Sequence, residues 1–493
     1  MKKILCIAAL LVLAVILTGC GRSAYEPAEA AEPLVYTSTE VSAETPAEPE
    51  PPVHDPTEPT EVPEVYSPEP EAEPMSYTPE LAVPIDRASQ FFSEIADLFD
   101  GDNGELWGFK LHVPILFACP VTREAVANMP DPDGLFESYG DIYFGTLPES
   151  VTIFDAVVTW DYFGGKRWVI VPWAAIQRSD RAGRLRLLSH KAFHWHQFDG
   201  RFGQSIGWNN SHMNEKEARI SIRLEINALL RALRVTGEQR YAAVSDALSI
   251  RAERRRLFDR AADENMLEMM EGLAQYTEWS LAPPASPGLV TLMESFADGM
   301  AQGISLEHSF GYLSGALYAF LLNETGVPWK DDIRFGGDLG LMLQEAMGIF
   351  ELTPFGEVPL IGYGYNRIAA DEKAWAVTRE AILRDITEYT LNQPTLRFYH
   401  DDGFGLGAAF SGHRFSFYGL GTVLRGNIDY QDSFGRLVLR NGDFIMHNDG
   451  VIMVAALDVE MNGNHVSGAN WELELNDGYE VVQVGEHFVV RRQ

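Results

Sequence analysis

The sequence has little cysteine, few basic residues and no apolar run long enough to cross a membrane. Of its three cysteines, Cys6 and Cys20 lie among the first twenty residues, and Cys119 is alone in the rest of the chain. A lone thiol cannot form an intrachain disulfide, so the fold must be held by its core. The 38 lysines and arginines stand against 71 acidic residues, which gives a net charge of −33. This balance argues against a nucleic-acid-binding protein.

The first twenty residues have the pattern of a secretory signal. Two lysines precede the apolar run 4–17, which is too short for a membrane-spanning helix. The run ends in LTGC, with Cys20 last, and these letters resemble the lipobox of bacterial lipoproteins. The resemblance implies cleavage before Cys20 and lipid attachment to it, hence an extracytoplasmic protein anchored to the bacterial membrane. An ordinary secreted protein with a chance cysteine is the alternative.

Residues 21–85 have a composition that cannot form a core. They hold 14 of the 27 prolines and 15 of the 71 acidic residues, against a single arginine. Proline and repelling like charges keep such a chain extended. We therefore expect a disordered acidic stalk, a spacer with no binding role, followed by a folded part of about 410 residues.

The folded part combines strand-rich and helical patterns, which predicts an α+β fold. An amphipathic helix is expected from Ile85, and short strands are indicated between 108 and 175, where β-branched and aromatic residues alternate with turns. Helical patterns follow, one of them beginning at Asn214 with a capping-box variant. We predict a mainly helical domain with small antiparallel strands over 86–391. A separate antiparallel β domain is predicted over 392–493.

The segment LLSHKAFHWHQ, residues 187–197, has metal-ligand spacing. His190 and His194 are one helical turn apart, so both rings project from the same face and can share one ion. His196 points to a different face and is expected to pack or to form hydrogen bonds. The pair alone is a weak signal, and a third ligand has to come from elsewhere in the chain.

Two carboxylates are candidates for the third ligand. Glu271 and Glu225 both lie on otherwise apolar helical faces, where a charge is costly unless it is paired or bound to a metal. For Glu225, an ion pair with a residue such as Arg219 or Arg223 is an equal alternative. The pattern leaves the choice between the two carboxylates open.

Together these segments resemble the gluzincin-type metallopeptidase domains of secreted bacterial proteins. The resemblance is carried by LLSHKAFHWHQ, EARISIRLEINALLRAL, MEGLAQYTEW and HSFGYLSGALYAFLL, and it covers residues 105–350 or so. It implies a zincin-like fold with the RWVIVPW strand along the cleft edge. It also implies a zinc ion held by His190, His194 and Glu271, with Tyr312 as the tyrosine that steadies the oxyanion.

The chain departs from that family at Lys191, where the pattern has the glutamate that moves protons. An ammonium at neutral pH has no lone pair and repels a metal cation. Loss of a general base typically costs roughly 10²–10⁴-fold in rate. The first hypothesis is a pseudopeptidase that binds a peptide or protein in its cleft. The second is an active zinc peptidase in which Lys191 or another group is the base, and the third is a metal-free cell-envelope binding or adhesion module.

Overall fold

The described part of the chain starts at residue 83. The computed structural model describes residues 83–493 except 152, 154–158, 204–206, 285–287, 304, 400–406, 418–419 and 448. The predicted signal, Cys20 and residues 21–82 of the predicted stalk lie outside the described residues. The last three residues of the predicted stalk are described: Val83 is buried, and Ile85 begins a helix. The described residues belong to one compact unit that mixes helices and strands, which confirms the α+β prediction. None of its helices is both long and apolar enough to cross a membrane.

Helices dominate the described chain up to Ile386. They are α1 (Ile85–Asp102), α2 (Trp173–Ile176), α3 (Arg181–His196), α4 (Lys216–Arg234), α5 (Gly237–Phe258), α6 (Ala261–Leu267), α7 (Leu273–Leu281), α8 (Leu289–Ala301), α9 (Ser309–Thr325), α10 (Leu339–Ala346) and α11 (Tyr365–Ile386). The amphipathic helix expected from Ile85 is α1, which buries Phe91, Phe92 and Phe99 against the core. Three π-helical turns extend or join these helices, at Gln197–Arg201, Glu268–Gly272 and Thr387–Leu391.

The first sheet has six strands and lies beside α1 and α3. Its strands are β1 (Ile115–Ala118), β2 (Glu124–Ala127), β3 (Glu137–Tyr139), β4 (Ile142–Thr146), β5 (Thr159–Phe163) and β6 (Lys166–Pro172), in the order β3-β4-β2-β1-β6-β5. The strands are antiparallel except that β1 pairs with β6 in parallel, so the sheet is mixed and not purely antiparallel as predicted. A buried apolar run such as WVIVP is typical of a strand that is covered on both faces.

The RWVIVPW segment is therefore not an edge strand. Residues 167–172 of the segment belong to β6, which pairs with β1 on one side and β5 on the other. The prediction that it runs along the cleft edge is wrong for this reason. Among the described strands, β5 is the edge at that end of the sheet.

The second sheet occupies the C-terminal part of the chain, as expected. Its strands are β7 (Thr395–Tyr399), β8 (Gly407–Phe417), β9 (Gly421–Asp432), β10 (Gly435–His447), β11 (Val451–Ala455), β12 (Glu460–Asn462), β13 (His465–Ser467), β14 (Trp471–Leu475), β15 (Tyr479–Val484) and β16 (His487–Arg492). The curled sheet is antiparallel apart from a short parallel contact between β7 and β16. Its core contains Phe398, Tyr430 and Trp471. The independence of this part as a domain stays a prediction.

The second sheet packs against the helical part through an apolar cluster and a buried amide. Ile386 of α11 lies in one cluster with Phe415 and Phe417 of β8. Asn214 does not begin α4, which starts at Lys216 without a side-chain cap. Its amide instead accepts a hydrogen bond from the Leu306 N–H at 3.0 Å and donates to the Ser416 carbonyl of β8 at 3.2 Å. Partners so distant in sequence leave no local signal.

Candidate metal centre

The helix α3, which carries both predicted histidines, is fixed at its two ends. At its start, Asp180 Oδ1 accepts a hydrogen bond from the Gly183 N–H at 2.7 Å. At its end, Arg167 of β6 donates to the carbonyls of Trp195 and Phe198, at 2.5 and 3.0 Å. A guanidinium is favourable there because it meets the negative end of the helix dipole. These contacts hold α3 against the first sheet.

The π-helical turn Glu268–Gly272 places Glu271 opposite α3. The extra residue in a π turn redirects its side chains relative to a regular α-helix. Helix α9 packs on this turn through glycine: a Cβ on Gly315 would lie 2.6 Å from the Glu268 carbonyl oxygen, and a Cβ on Gly272 would lie 2.5 Å from the Gly315 Cα. Larger residues would push α9 away from the turn.

Three side chains converge between α3 and this turn. The Nε2 atoms of His190 and His194 are 3.0 Å apart. Glu271 Oε2 lies 3.1 Å from His194 Nε2 and 3.4 Å from His190 Nε2. Tetrahedral zinc with bonds near 2.05 Å would separate its ligand atoms by about 3.3 Å. These three residues, called the metal group below, could therefore hold a metal ion.

Gln197 determines which nitrogen of His194 carries the proton. The Gln197 Nε2 donates to the carbonyls of Met269 and Met270, at 2.8 and 3.1 Å. Its amide oxygen therefore faces His194 Nδ1 at 2.7 Å and accepts a hydrogen bond from it. With the proton on Nδ1, the Nε2 lone pair of His194 points into the metal group. Such a partner orients the ring of a metal ligand.

Glu278 plays the same part for His190. Its Oε2 lies 3.1 Å from His190 Nδ1, close enough for an electrostatic contact but not aligned as a hydrogen bond. A carboxylate only accepts, so Nδ1 carries a proton and the Nε2 lone pair of a neutral ring also faces the metal group. Gln275 donates to the other oxygen of Glu278 and holds that carboxylate in place.

The metal group can accommodate a cation. Two ring lone pairs and a carboxylate oxygen meet within hydrogen-bond distance, and all three act as acceptors when both rings are neutral. Burial raises the pKa of the Glu271 carboxyl, but its close contacts with the rings of His190 and His194 outweigh this and lower it, so the carboxyl is ionised. The donor set of two imidazoles and one carboxylate is used by open zinc sites and also by non-haem iron(II) sites. The residues fit a metal ion.

Lys191 adds a positive charge to the same site. Burial lowers the pKa of its ammonium, and the charges of Glu271 and Glu278 offset only part of this. The lysine charge in turn acts on both histidines of the metal group. Lys191, which stands where the resemblance predicts a general base, thus lies in the electrostatic environment of the metal group.

Tyr312 of α9 contacts two members of the metal group. Its ring stacks on the His190 ring, with centroids 5.7 Å apart and planes 9° from parallel. Burial raises the pKa of its phenol, and the charge of Glu271 together with the hydrogen bond to it adds to the rise. Tyr312 therefore stays protonated and donates to Glu271. The residue predicted to steady an oxyanion holds the carboxylate of the metal group.

Glu225, the alternative third ligand, lies away from the metal group. Its carboxylate is fully buried and accepts hydrogen bonds from Arg251 at 3.2 Å, from Arg254 and from the Tyr318 hydroxyl at 2.7 Å. The suggested partners Arg219 and Arg223 bind Glu372 instead. Ion pairs therefore account for the burial of the Glu225 carboxylate, but its partners are guanidinium groups of α5.

His196 also lies outside the metal group, as expected. Its ring packs against Phe109, with centroids 4.7 Å apart. Burial, together with the charge of Arg201, lowers the pKa of His196 to about 4, so the ring is neutral. It is a packed side chain.

Sequence reasoning missed Gln197, Glu278 and His308. Gln197 follows His194 by three residues and Glu278 follows Glu271 by seven, helical spacings that could have indicated both. His308 precedes Tyr312 by one turn, and burial together with the charge of Arg414 lowers its pKa, against the opposing charges of Glu307 and Glu271. Arg414 belongs to β8, so the second sheet contributes a charge near the site.

Comparison of the chain with known proteins adds no relative. No family model, no curated protein and no solved structure matches it. A functional proposal therefore depends on the geometry of the metal group and on the motifs of the chain.

Proposed function

We propose that this protein is a gluzincin-like, zinc-binding pseudopeptidase: it binds a peptide or protein at the metal group and hydrolyses it weakly or not at all. One observation carries the proposal. The Nε2 atoms of His190 and His194 and the Glu271 carboxylate converge, while Lys191 stands at the general-base position. Convergence favours metal binding, and the lysine disfavours proton abstraction.

Zinc is the metal that we propose for this donor set. Neutral imidazoles and one carboxylate suit zinc, and three protein ligands leave a fourth position for water or a ligand. When bound, zinc would polarise a carbonyl group and acidify water. The chain's own residues then have separate tasks: Gln197 and Glu278 orient the two rings, and Tyr312 holds Glu271 by a hydrogen bond.

Weak hydrolysis follows from the charge of Lys191. A protonated amine donates hydrogen bonds and accepts none, so it cannot take a proton from water. The carboxylates of Glu271 and Glu278 could replace it as a base, but both have other partners. Glu271 belongs to the metal group, and Glu278 contacts His190 and Gln275. Without a base, we expect a rate roughly 10²–10⁴-fold below that of an active peptidase.

An active peptidase is the second candidate, and one observation favours it. Burial lowers the pKa of Lys191. A lysine that loses its proton near neutral pH can act as a base. The two candidates make opposite predictions for cleavage of unstructured peptides by the wild-type protein.

The experiment measures zinc content and peptide cleavage together. We expect about one zinc per purified chain by elemental analysis, no chelator-sensitive cleavage, and some cleavage by Lys191→Glu. Cleavage by the wild type that chelator removes, zinc restores and His194→Ala lacks would establish the active peptidase. Absence of zinc, with unchanged stability in His190→Gln/His194→Gln, would favour the metal-free binding or adhesion module.

The membrane anchor is part of the same proposal. The LTGC motif supports lipid attachment at Cys20, and the acidic segment 21–85 would hold the folded part away from the bilayer. We expect labelling with a radioactive fatty acid in the wild type and its loss in Cys20→Ala. Labelling that persists in Cys20→Ala would overturn the lipoprotein assignment.

A further inference from the structure

Gln197 contacts both halves of the metal group with its two amide atoms, although it is not one of the three ligands. The side chain is buried, and its oxygen faces the His194 ring on α3 at 2.7 Å. Its nitrogen donates to the carbonyls of Met269 and Met270, at 2.8 and 3.1 Å. Met270 directly precedes Glu271 in the chain. One amide therefore bridges the helix that carries two ligands and the backbone that carries the third.

The π turn that carries Glu271 is a place where a backbone carbonyl needs an outside donor. The turn Glu268–Gly272 joins α6 to α7 without a break in the helical backbone. Where a helix takes in an extra residue, its backbone hydrogen bonds shift from the fourth residue to the fifth, so a carbonyl at the shift lacks its usual N–H donor. Gln197, Met269 and Met270 are buried, so a side chain has to replace water there. The Gln197 amide supplies that donor.

The two contacts of Gln197 can be separated chemically. A carbonyl only accepts, so the amide nitrogen must face Met269 and Met270, and the amide oxygen must face His194. A glutamate at this position would keep an acceptor for the His194 Nδ1–H. It would have no N–H for the two carbonyls and would place a negative charge against them. Gln197→Glu therefore removes the contact with the π turn and keeps the contact with the ring.

We propose that Gln197 is a positioning residue for Glu271: by donating to the carbonyls of Met269 and Met270, it holds the π turn in the register that directs the Glu271 carboxylate towards the two histidines. This role is separate from the orientation of the His194 ring. The backbone contact belongs to the metal-free protein, whereas its effect on metal affinity rests on the proposed metal binding.

Zinc titration by calorimetry tests the proposal, because the two roles predict opposite results for Gln197→Glu. If Gln197 only oriented the His194 ring, zinc affinity would be kept or raised, since a carboxylate partner makes an imidazole ligand more basic. The positioning role predicts a loss of zinc affinity of roughly tenfold or more, because Glu271 leaves the metal group. Wild-type or higher zinc affinity in Gln197→Glu would overturn the proposal.

A double-mutant cycle shows whether Gln197 acts through Glu271. In a protein that already carries Glu271→Gln, the further change Gln197→Glu should not weaken zinc binding again, because the π turn no longer presents a carboxylate. A further loss as large as that in the wild-type background would contradict the positioning role. Gln344, which donates to the Ile349 carbonyl at 3.1 Å, is the matched control, and Gln344→Glu should leave zinc affinity unchanged.

Amide hydrogen exchange in the metal-free protein separates this inference from the proposed function. We expect residues 266–276 to exchange roughly fivefold faster or more in Gln197→Glu and in the uncharged variant Gln197→Met than in the wild type, because a buried hydrogen bond to the π turn is lost. Exchange in α5 should not change, and it reports whether each variant is folded. If the wild type binds no zinc, the proposed function fails and this measurement still decides the inference. Wild-type exchange over residues 266–276 in Gln197→Met would overturn it.

Discussion

Two buried clusters of polar and charged side chains lie on either side of the π turn Glu268–Gly272. They differ in whether their carboxylates are paired with cationic side chains. The first is the metal group. The second, called the ion network here, joins Glu225, Glu264 and Glu268 to Arg251 and Arg254. In the ion network each carboxylate accepts hydrogen bonds from a guanidinium group, whereas the acceptor atoms of the metal group face one another.

The geometry of the ion network shows that its carboxylates are paired with arginine side chains. Arg251 donates to both oxygens of Glu268, at 2.7 and 2.5 Å, and Arg254 donates to both oxygens of Glu264, at 3.0 and 2.9 Å. Burial raises the pKa of the Glu264 carboxyl, but Arg254 outweighs it and the pKa falls well below its usual value. Such a network needs no ligand. Buried charge alone therefore does not indicate a metal site. Hydrogen-bond acceptors that converge without a donor between them do indicate one.

The largest effect should come from breaking the ion network. Arg254→Met leaves the carboxylates of Glu225 and Glu264 buried without their main partner, and removal of one member of a buried ion pair typically costs roughly 3–5 kcal/mol. We expect a large fall in the free energy of unfolding, measured by urea denaturation. Arg256, on the same helix but exposed and paired with Glu253, is the control, and Arg256→Met should change nothing measurable.

The second prediction concerns zinc binding to the metal group. A metal that binds only the folded protein, at about 100 times its Kd, stabilises it by about 2.7 kcal/mol. We expect zinc to raise the urea midpoint of the wild type, chelator to reverse the rise, and Glu271→Gln to show a much smaller rise. An equal rise in Glu271→Gln would show that zinc binds elsewhere.

The third prediction tests the contact that joins the two clusters. Gly315→Ala places a methyl group 2.6 Å from the Glu268 carbonyl oxygen, and overpacking of this kind costs roughly 1–3 kcal/mol. It should also weaken metal binding, because α9 and Tyr312 would move away from the π turn. Gly299→Ala in α8, where a Cβ meets nothing within 4 Å, should leave stability equal or higher. Unchanged metal affinity in Gly315→Ala would count against this role of α9.

The smallest effect should come from the residues that orient the rings. Gln197→Ala and Glu278→Gln remove or weaken the partners of His194 and His190, and loss of such partners typically weakens metal binding about 10–100-fold. Isothermal titration with zinc measures the change. The ion network should be unaffected, and the urea midpoint of each zinc-free variant separates any loss of stability from the loss of zinc affinity. Wild-type zinc affinity in both variants would contradict the orienting role.

The two histidines of the metal group were predictable from sequence because their spacing on one helix brings them together. His190 and His194 must share a face when they are four residues apart on a helix. Glu271 and Glu225 were indistinguishable because both have apolar neighbours at helical spacing. What separates them is Arg251 and Arg254, which lie 26 and 29 residues from Glu225 and reach it only after α4 and α5 pack.

The sheets were predictable only in part. Strand composition indicated both strand-rich regions, but the parallel pairing of β1 with β6 joins Ile115 to Val169, and no local pattern specifies such a partner. The same limit applies to the π turn, because EMMEG has no residue that distinguishes a π turn from an α-helix. Pairing of remote segments and backbone irregularities are set by tertiary packing.

The π turn has a consequence for the rate at which metal enters. Glu268 and Glu271 lie three residues apart in it, so the backbone that carries the third ligand is already immobilised by Arg251 before any ion arrives. Most of the entropy lost in collecting the ligands is thus lost during folding. Metal capture should then be limited by dehydration of the incoming ion and not by rearrangement of the chain.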